Sequence, residues 1–300
     1  MRVMSTDQAE TSVFEKEMRS QPEVWGLAAE LAQGAPLPAR GERVLILGCG
    51  TSLFVGAAIA AWREASGNGE TDVFAASEVL TGRHYDEIVL ISRSGTTTEL
   101  LEALKRIGHT APVLVITATD PSPVANVADQ LIVMPFADER AIPQTRFPTS
   151  VIALWRAQLG HDIEALQRSA EAQFDAPLPA RLEDREQFVF LGTGPGVGLA
   201  NEASLKFRET ALVWTEAYPA MELRHGPISL LGERSLVWAL GEIPADLADA
   251  VRSTGAALEH TGEDPLVELV RVHRAALALA RHRDLDPDNP PRLHRSVVLS

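Results

Sequence analysis

One cysteine, Cys49, is all the thiol in 300 residues. No internal disulfide and no thiolate metal cluster is open to the chain, so its stability has to come from packing. Its histidines show no ligand-like spacing, and neither a metal nor a cofactor is expected. No apolar run approaches the roughly 18 residues that a membrane-spanning helix needs. The opening stretch, MRVMSTDQAETSVFEKEM, has acidic residues where a secretory leader needs an unbroken apolar segment, so a cytoplasmic protein is expected. Basic residues are short as well. Lys plus Arg number 27 against 41 Asp plus Glu, a formal net charge of −14, which opposes any general affinity for nucleic-acid phosphates. A small anionic substrate meets the same repulsion, so its site has to be locally electropositive through helix N-termini and a few arginines.

What is present is enough apolar residue, 45%, for a substantial core, with 23% charged residues to cover it. Residues 12–33 have apolar residues at helical spacing, interrupted at Pro22, and residues 34–41 read as a loop. Short apolar runs then alternate with helical stretches: strands at 43–47, 72–75, 87–91, 112–116 and 130–134, and helices at 53–65, 98–107, 124–129 and 152–159. Residues 170–181 mix proline and polar residues as a linker does. A second series follows, with strands at 187–191 and 235–240, helices at 197–213, 246–252 and 265–280, and a last strand at 296–299. Nearly all-apolar strands alternating with helices predict an α/β protein whose parallel sheets are covered on both faces, a doubly wound architecture. Two units are expected, 1–169 and 170–300, each containing a strand, a glycine turn and a helix.

Ser92-Arg93-Ser94-Gly95-Thr96-Thr97-Thr98 lies between a predicted strand and a predicted helix. Capping a helix takes one hydroxyl, and five are here with a guanidinium and a glycine. Hydroxyls and free backbone N–H groups at a helix N-terminus are short donors suited to a phosphate, and glycine lets the backbone approach it. Gly48-Cys49-Gly50-Thr51-Ser52 is a second donor cluster at the end of a strand, weak by itself. It lacks dinucleotide glycine spacing and the lysine of a nucleotide-binding loop. In the turn at 192–198, Pro195 and the missing acidic residue after the next strand argue against a nicotinamide cofactor. Farther on, Glu202, Lys206 and Glu209 share one helical face. By spacing alone, Glu202 and Lys206 read as an exposed ion pair. Trp214, Tyr218 and Met221 predict partial burial around His225, and burial is the device that would raise Glu209 into the range of a general base.

Taken together and in this order, GCGTS, SRSGTTTE, LKFRE and ELRHGP resemble the sugar isomerase (SIS) domain family. Within it, the pattern is similar to the isomerase half of glucosamine-6-phosphate synthase and to bacterial aminosugar-phosphate deaminase/isomerases. The resemblance runs from Gln21 to the end. It implies two SIS-type doubly wound subdomains, each a parallel sheet flanked by helices in a three-layer αβα sandwich. It further implies that Thr51, Ser52, Ser92, Ser94 and Thr97 bind the phosphate, with Gly50 and Arg93 also among the substrate-binding residues and Arg93 where the synthase has glutamine. Gln144, in a Gln-Thr-Arg element, resembles the deaminase/isomerase branch. Glu209 corresponds to the proton-shuttling glutamate, Lys206 to the lysine three residues before it, and His225 to the histidine linked to ring opening. In relatives that histidine comes from a neighbouring subunit, implying a homodimer. Arg295 stands where the synthase has an active-site lysine. No cysteine follows Met1 and no glutaminase-sized segment precedes these motifs, so glutamine-dependent amination is not expected.

The resulting expectation is an aldose-ketose isomerase acting on a hexose or aminohexose 6-phosphate, with or without deamination. The alternative is a non-catalytic sugar-phosphate sensor, since fold does not fix function.

Overall fold

The computed structural model describes residues 11–298. Two antecedent helices, α1 (Val13–Arg19) and α2 (Gln21–Ala32), break at Ser20, and Pro22 sits in the first turn of α2, where its missing N–H has no bond to lose. Next come β1 (Val44–Gly48), α3 (Thr51–Ala65), β2 (Thr71–Ala75), β3 (Glu87–Ser92), α4 (Thr98–Ile107), β4 (Val113–Thr117) and β5 (Gln130–Val133). They form one parallel sheet in the order β2-β1-β3-β4-β5. After α5 (Arg146–Gln158) and α6 (Ile163–Ala172), a second parallel sheet is built from β6 (Gln187–Gly192), β7 (Thr215–Pro219), β8 (Ser235–Leu240) and β9 (Ala257–Glu259), in the order β7-β6-β8-β9. Its helices are α7 (Gly196–Ala211), α8 (Ala245–Ser253) and α9 (Pro265–His282). This is the α/β, doubly wound pair of parallel sheets flanked by helices.

β1, β3, β4 and β8 are buried along their whole length, as strands covered on both faces must be. One apolar core runs through both halves, from Trp25, Ile46 and Trp155 to Phe207, Trp238 and Val270. The α3 and α7 helices touch within it. A β-carbon at Gly198 would lie 2.5 Å from the Phe54 carbonyl oxygen and 2.6 Å from the Ala58 nitrogen, so only glycine permits this approach. Residue 169, where the first unit was expected to end, falls inside α6, which Asp162 caps through a 2.9 Å bond from the Ala165 N–H.

Several elements differ from the sequence expectation. α5 begins six residues earlier than predicted, because Pro148 is tolerated in a first turn and the Glu139 carboxylate accepts from the Thr145, Arg146 and Phe147 N–H groups. The helix expected at 124–129 is one 3₁₀ turn, Ala125–Val127. β7, β9 and α6 were not anticipated. Ser296–Val298 is irregular chain rather than a strand, and Leu299 lies outside the described residues.

Glu87, at the start of β3, is buried, and one of its carboxylate oxygens has no hydrogen-bond partner. Burial, aided by Glu42 and opposed by Arg63, pushes its carboxyl up to about 7. The unfolded chain ionises it near 4.5, so the folded state holds the extra proton and stability falls as pH rises across that window. Glu87→Gln should therefore raise Tm by about 2 °C near pH 8 and leave it unchanged near pH 4.5. A gain of the same size at both values would assign the effect to packing instead.

Candidate active site

β1 and β3 are neighbours, and the chain leaves them in opposite directions, to β2 on one side and toward β4 on the other. A crevice opens at such a switch point beyond the carboxyl ends of the strands. Two of the predicted clusters lie at its edges. Gly50 has φ +54° and admits the turn into α3, whose first residues, Thr51 and Ser52, are nearly enclosed. On the other edge, Ser92 and Ser94 are buried and Thr96 and Thr97 half-buried. The Gly95 N–H donates to Ser92 Oγ at 3.1 Å, the Ser92 and Thr97 hydroxyls are 3.3 Å apart, and Ser94 Oγ accepts from the Thr96 N–H and hydroxyl at 3.2 and 3.0 Å. Gly95 has φ +66°, and a β-carbon on it would lie 2.1 Å from Ser122 Oγ. The turn is thus a folded ring of hydroxyls at the start of α4, with Thr96 and Thr97 toward solvent. Cys49, between the glycines, is no nucleophile: burial and the Glu99 carboxylate push its thiol up to about 11.

Arg93 does not join the ring. Its side chain is buried and its terminal nitrogens donate to main-chain carbonyls, Ala141 at 3.0 Å and Arg295 at 2.9 Å. Arg295, too, is engaged by the protein itself. Its guanidinium pairs with Asp138 at 2.5 Å and donates to the Glu139 carbonyl, holding the C-terminal tail against the first sheet unit. Beside it, the Ser296 hydroxyl lies 2.9 Å from the Thr96 hydroxyl and can donate to it, a contact not anticipated from the sequence. Gln144 precedes α5, half-buried, and its side-chain oxygen is enclosed without a partner.

The second half contributes α7. Lys206 Nζ lies 2.8 Å from Glu209 Oε2 and 3.2 Å from Glu202 Oε1. Lys206 and Glu202 are fully enclosed, whereas the Glu209 side chain keeps 19% exposure. The pair read as exposed is therefore buried, because α7 is packed between α3 and α9. Burial pushes the Glu202 carboxyl up to about 7, with Lys206 and the Thr51 hydroxyl opposing and Glu209 adding to the rise. Burial also disfavours the Lys206 ammonium, but the two carboxylates outweigh it and hold the group above its ordinary value. Glu202 is thus the enclosed carboxyl, where the sequence suggested Glu209. Thr51, beside it, brings the α7 triad to the mouth of the β1–α3 turn.

His225 corrects another expectation. It follows a 3₁₀ segment, Ala220–Arg224, and its ring is exposed with no hydrogen bond or ion pair among the described residues. Trp214, expected to shelter it, is 84% exposed, and Met221 and Leu230 are also on the surface. Among the described residues, no group of three or more His, Cys, Asp or Glu could hold a metal ion, and no helix is long and apolar enough to cross a membrane.

Comparison with known proteins agrees with this geometry. Residues 39–155 match the SIS domain family. A glutamine–fructose-6-phosphate aminotransferase (isomerizing) from Xylella fastidiosa is 27% identical across 95% of this chain and 59% of its own length. The chain therefore spans about three fifths of that relative. A glucosamine-6-phosphate deaminase structure from Thermotoga maritima has a TM-score of 0.82 at 25% identity, covering 96% of this chain and 100% of that one. The C-terminal domain of a glucosamine-fructose-6-phosphate aminotransferase from Francisella tularensis gives 0.78 at 19% identity, covering 95% and 100%. The fold is that of these sugar-phosphate proteins, and residues 39–155 belong to the SIS domain family.

Proposed function

We propose that the protein is a phosphosugar isomerase acting on a hexose or aminohexose 6-phosphate. One observation carries the reading: Glu202, paired with Lys206 on α7, adjoins Thr51 at the start of α3, on the edge of the switch point opposite the Ser92–Thr97 turn. A phosphate at the Ser92–Thr97 turn would anchor the sugar away from its reacting carbons, so that its binding energy serves positioning. In the open-chain aldose, Glu209 removes the C2 proton while the C1 carbonyl oxygen gains one, giving an enediol. Loss of the O2 proton and return of the first proton to C1 then yield the ketose. With nitrogen at C2, the same transfer passes through an enolamine to a C2 imine, which water hydrolyses to ketose and ammonia. Lys206 donates to Glu209 Oε2 at 2.8 Å and holds the carboxylate in place.

Ring opening requires a proton taken from the anomeric hydroxyl and one given to the ring oxygen, work suited to an imidazole. His225 of the partner subunit would supply it in a homodimer. The apolar surface on the same half, with Leu212, Trp214, Met221 and Leu230 exposed, supports such a pairing.

The test is a thermal-shift screen with hexose and aminohexose 6-phosphates, followed by proton NMR of C2–H exchange in deuterated water. Stabilisation with exchange supports the proposal. Stabilisation without exchange makes the protein a sugar-phosphate sensor, and neither effect rejects both readings. Ser94→Ala removes the acceptor that orders Thr96 and should weaken sugar-phosphate binding by about tenfold. Unchanged affinity would place the anion elsewhere.

A further inference from the structure

Where α7 and α9 pack together, the core holds polar atoms with no hydrogen-bond partner among the described residues. His273, on α9, has 0% exposure, and neither ring nitrogen has a hydrogen-bond partner among the described residues. The Thr210 hydroxyl, one turn beyond Lys206 on α7, is buried in the same condition. A buried polar atom without a partner costs stability, so leucine at 273 would make the better core. Polar residues kept against stability mark functional positions.

α7 and α9 pack along one another, both Lys206 and His273 are fully buried, and the charge of Lys206 acts on the His273 ring. An ammonium has three N–H donors. One is directed to Glu209 at 2.8 Å. Glu202 Oε1, at 3.2 Å, engages a second as an ion pair. At least one N–H of Lys206 therefore lacks an acceptor. Burial, then the Lys206 charge, hold the imidazole well below its ordinary value and so neutral, with one bare nitrogen able to accept. Buried polar groups left in this condition are those that internal water bridges when they cannot meet directly.

We propose that His273 is the positioning residue for Lys206: through an enclosed water it accepts the ammonium proton that neither carboxylate takes, fixing Nζ and thereby the Glu209 carboxylate. This inference rests on Glu209 as the proton carrier. His273→Leu removes both nitrogens at similar volume, and His273→Asn keeps a donor and an acceptor. The Leu variant should match or exceed the wild-type Tm and keep KM, yet lose about tenfold in kcat for C2 exchange, with Asn recovering most of the loss. Wild-type kcat in the Leu variant overturns the proposal. So does a joint fall of kcat and Tm that Asn does not repair, because that is a packing role.

A second arm needs no turnover. Nitrogen-15 NMR of histidine-labelled protein, with the His273 signals assigned by their loss in the Leu variant, should report a neutral ring with both nitrogens hydrogen-bonded. Those shifts should move in the Lys206→Met, Glu202→Leu double variant, which leaves no enclosed charge unpaired. A protonated ring, or shifts indifferent to that change, overturns the proposal. If no sugar phosphate exchanges with the wild type, the isomerase reading fails, and the NMR arm still decides whether His273 and Lys206 are linked.

Discussion

Glu209→Gln should lower the rate of C2 proton exchange by about 1,000-fold, within the range that a positioned general base contributes. The amide oxygen still accepts from Lys206 Nζ, which lies 2.8 Å from Glu209 Oε2, so the geometry of α7 survives while the proton acceptor is lost. Stabilisation by sugar phosphate should persist, because the hydroxyls at Ser92–Thr97 are untouched. Exchange measured by NMR and affinity measured by thermal shift therefore separate: the first collapses and the second holds. Equal exchange in the variant would remove Glu209 from the chemistry.

Lys206→Met has the largest expected effect on stability. It leaves Glu202 enclosed without its cation, a change that costs about 3–5 kcal/mol when one partner of a buried pair is removed. At about 2–4 °C per kcal/mol for a chain of this size, Tm should fall by roughly 10 °C. The sign with pH is fixed. In the wild type the Glu202 carboxyl ionises near 4.5 unfolded and about 7 folded, so the folded state binds the additional proton and stability declines as pH rises between those values. Without Lys206 the folded value climbs further and the decline continues to higher pH, so the deficit is larger near pH 9 than near pH 6. Chemical denaturation at the two pH values checks this. Adding Glu202→Leu should restore most of the lost stability and none of the turnover; an uncorrected Tm would mean that the pair is not what Lys206 stabilises.

The buried strands were legible because a strand covered on both faces is apolar throughout, as VLILG and VLVIT are. β7 and β9 escaped notice for the opposite reason. They are the edges of the second sheet, partly exposed, and TEAYP and ALE have neither alternation nor an apolar run. The hydroxyl turn could be read directly, since its residues are consecutive and their chemistry is local. The burial of Glu202 could not. Its four-residue spacing from Lys206 is equally that of a surface pair, and only the seating of α7 between α3 and α9 separates the two. His273 reads as one more residue in an apolar helix, and the direction of the Arg93 side chain depends on carbonyls 48 and 202 residues away.

That direction has a consequence for ionic strength. With its terminal nitrogens engaged by two peptide oxygens, Arg93 would give an anion at the proposed site no direct bond from them, leaving the contacts to alcohols, amides and the start of a helix. Dissolved salt screens long-range attraction between full charges, whereas enclosed contacts at hydrogen-bonding range are much less affected. A tetrahedral oxyanion lodged there would be selected by fit, and brine would do little to wash it out.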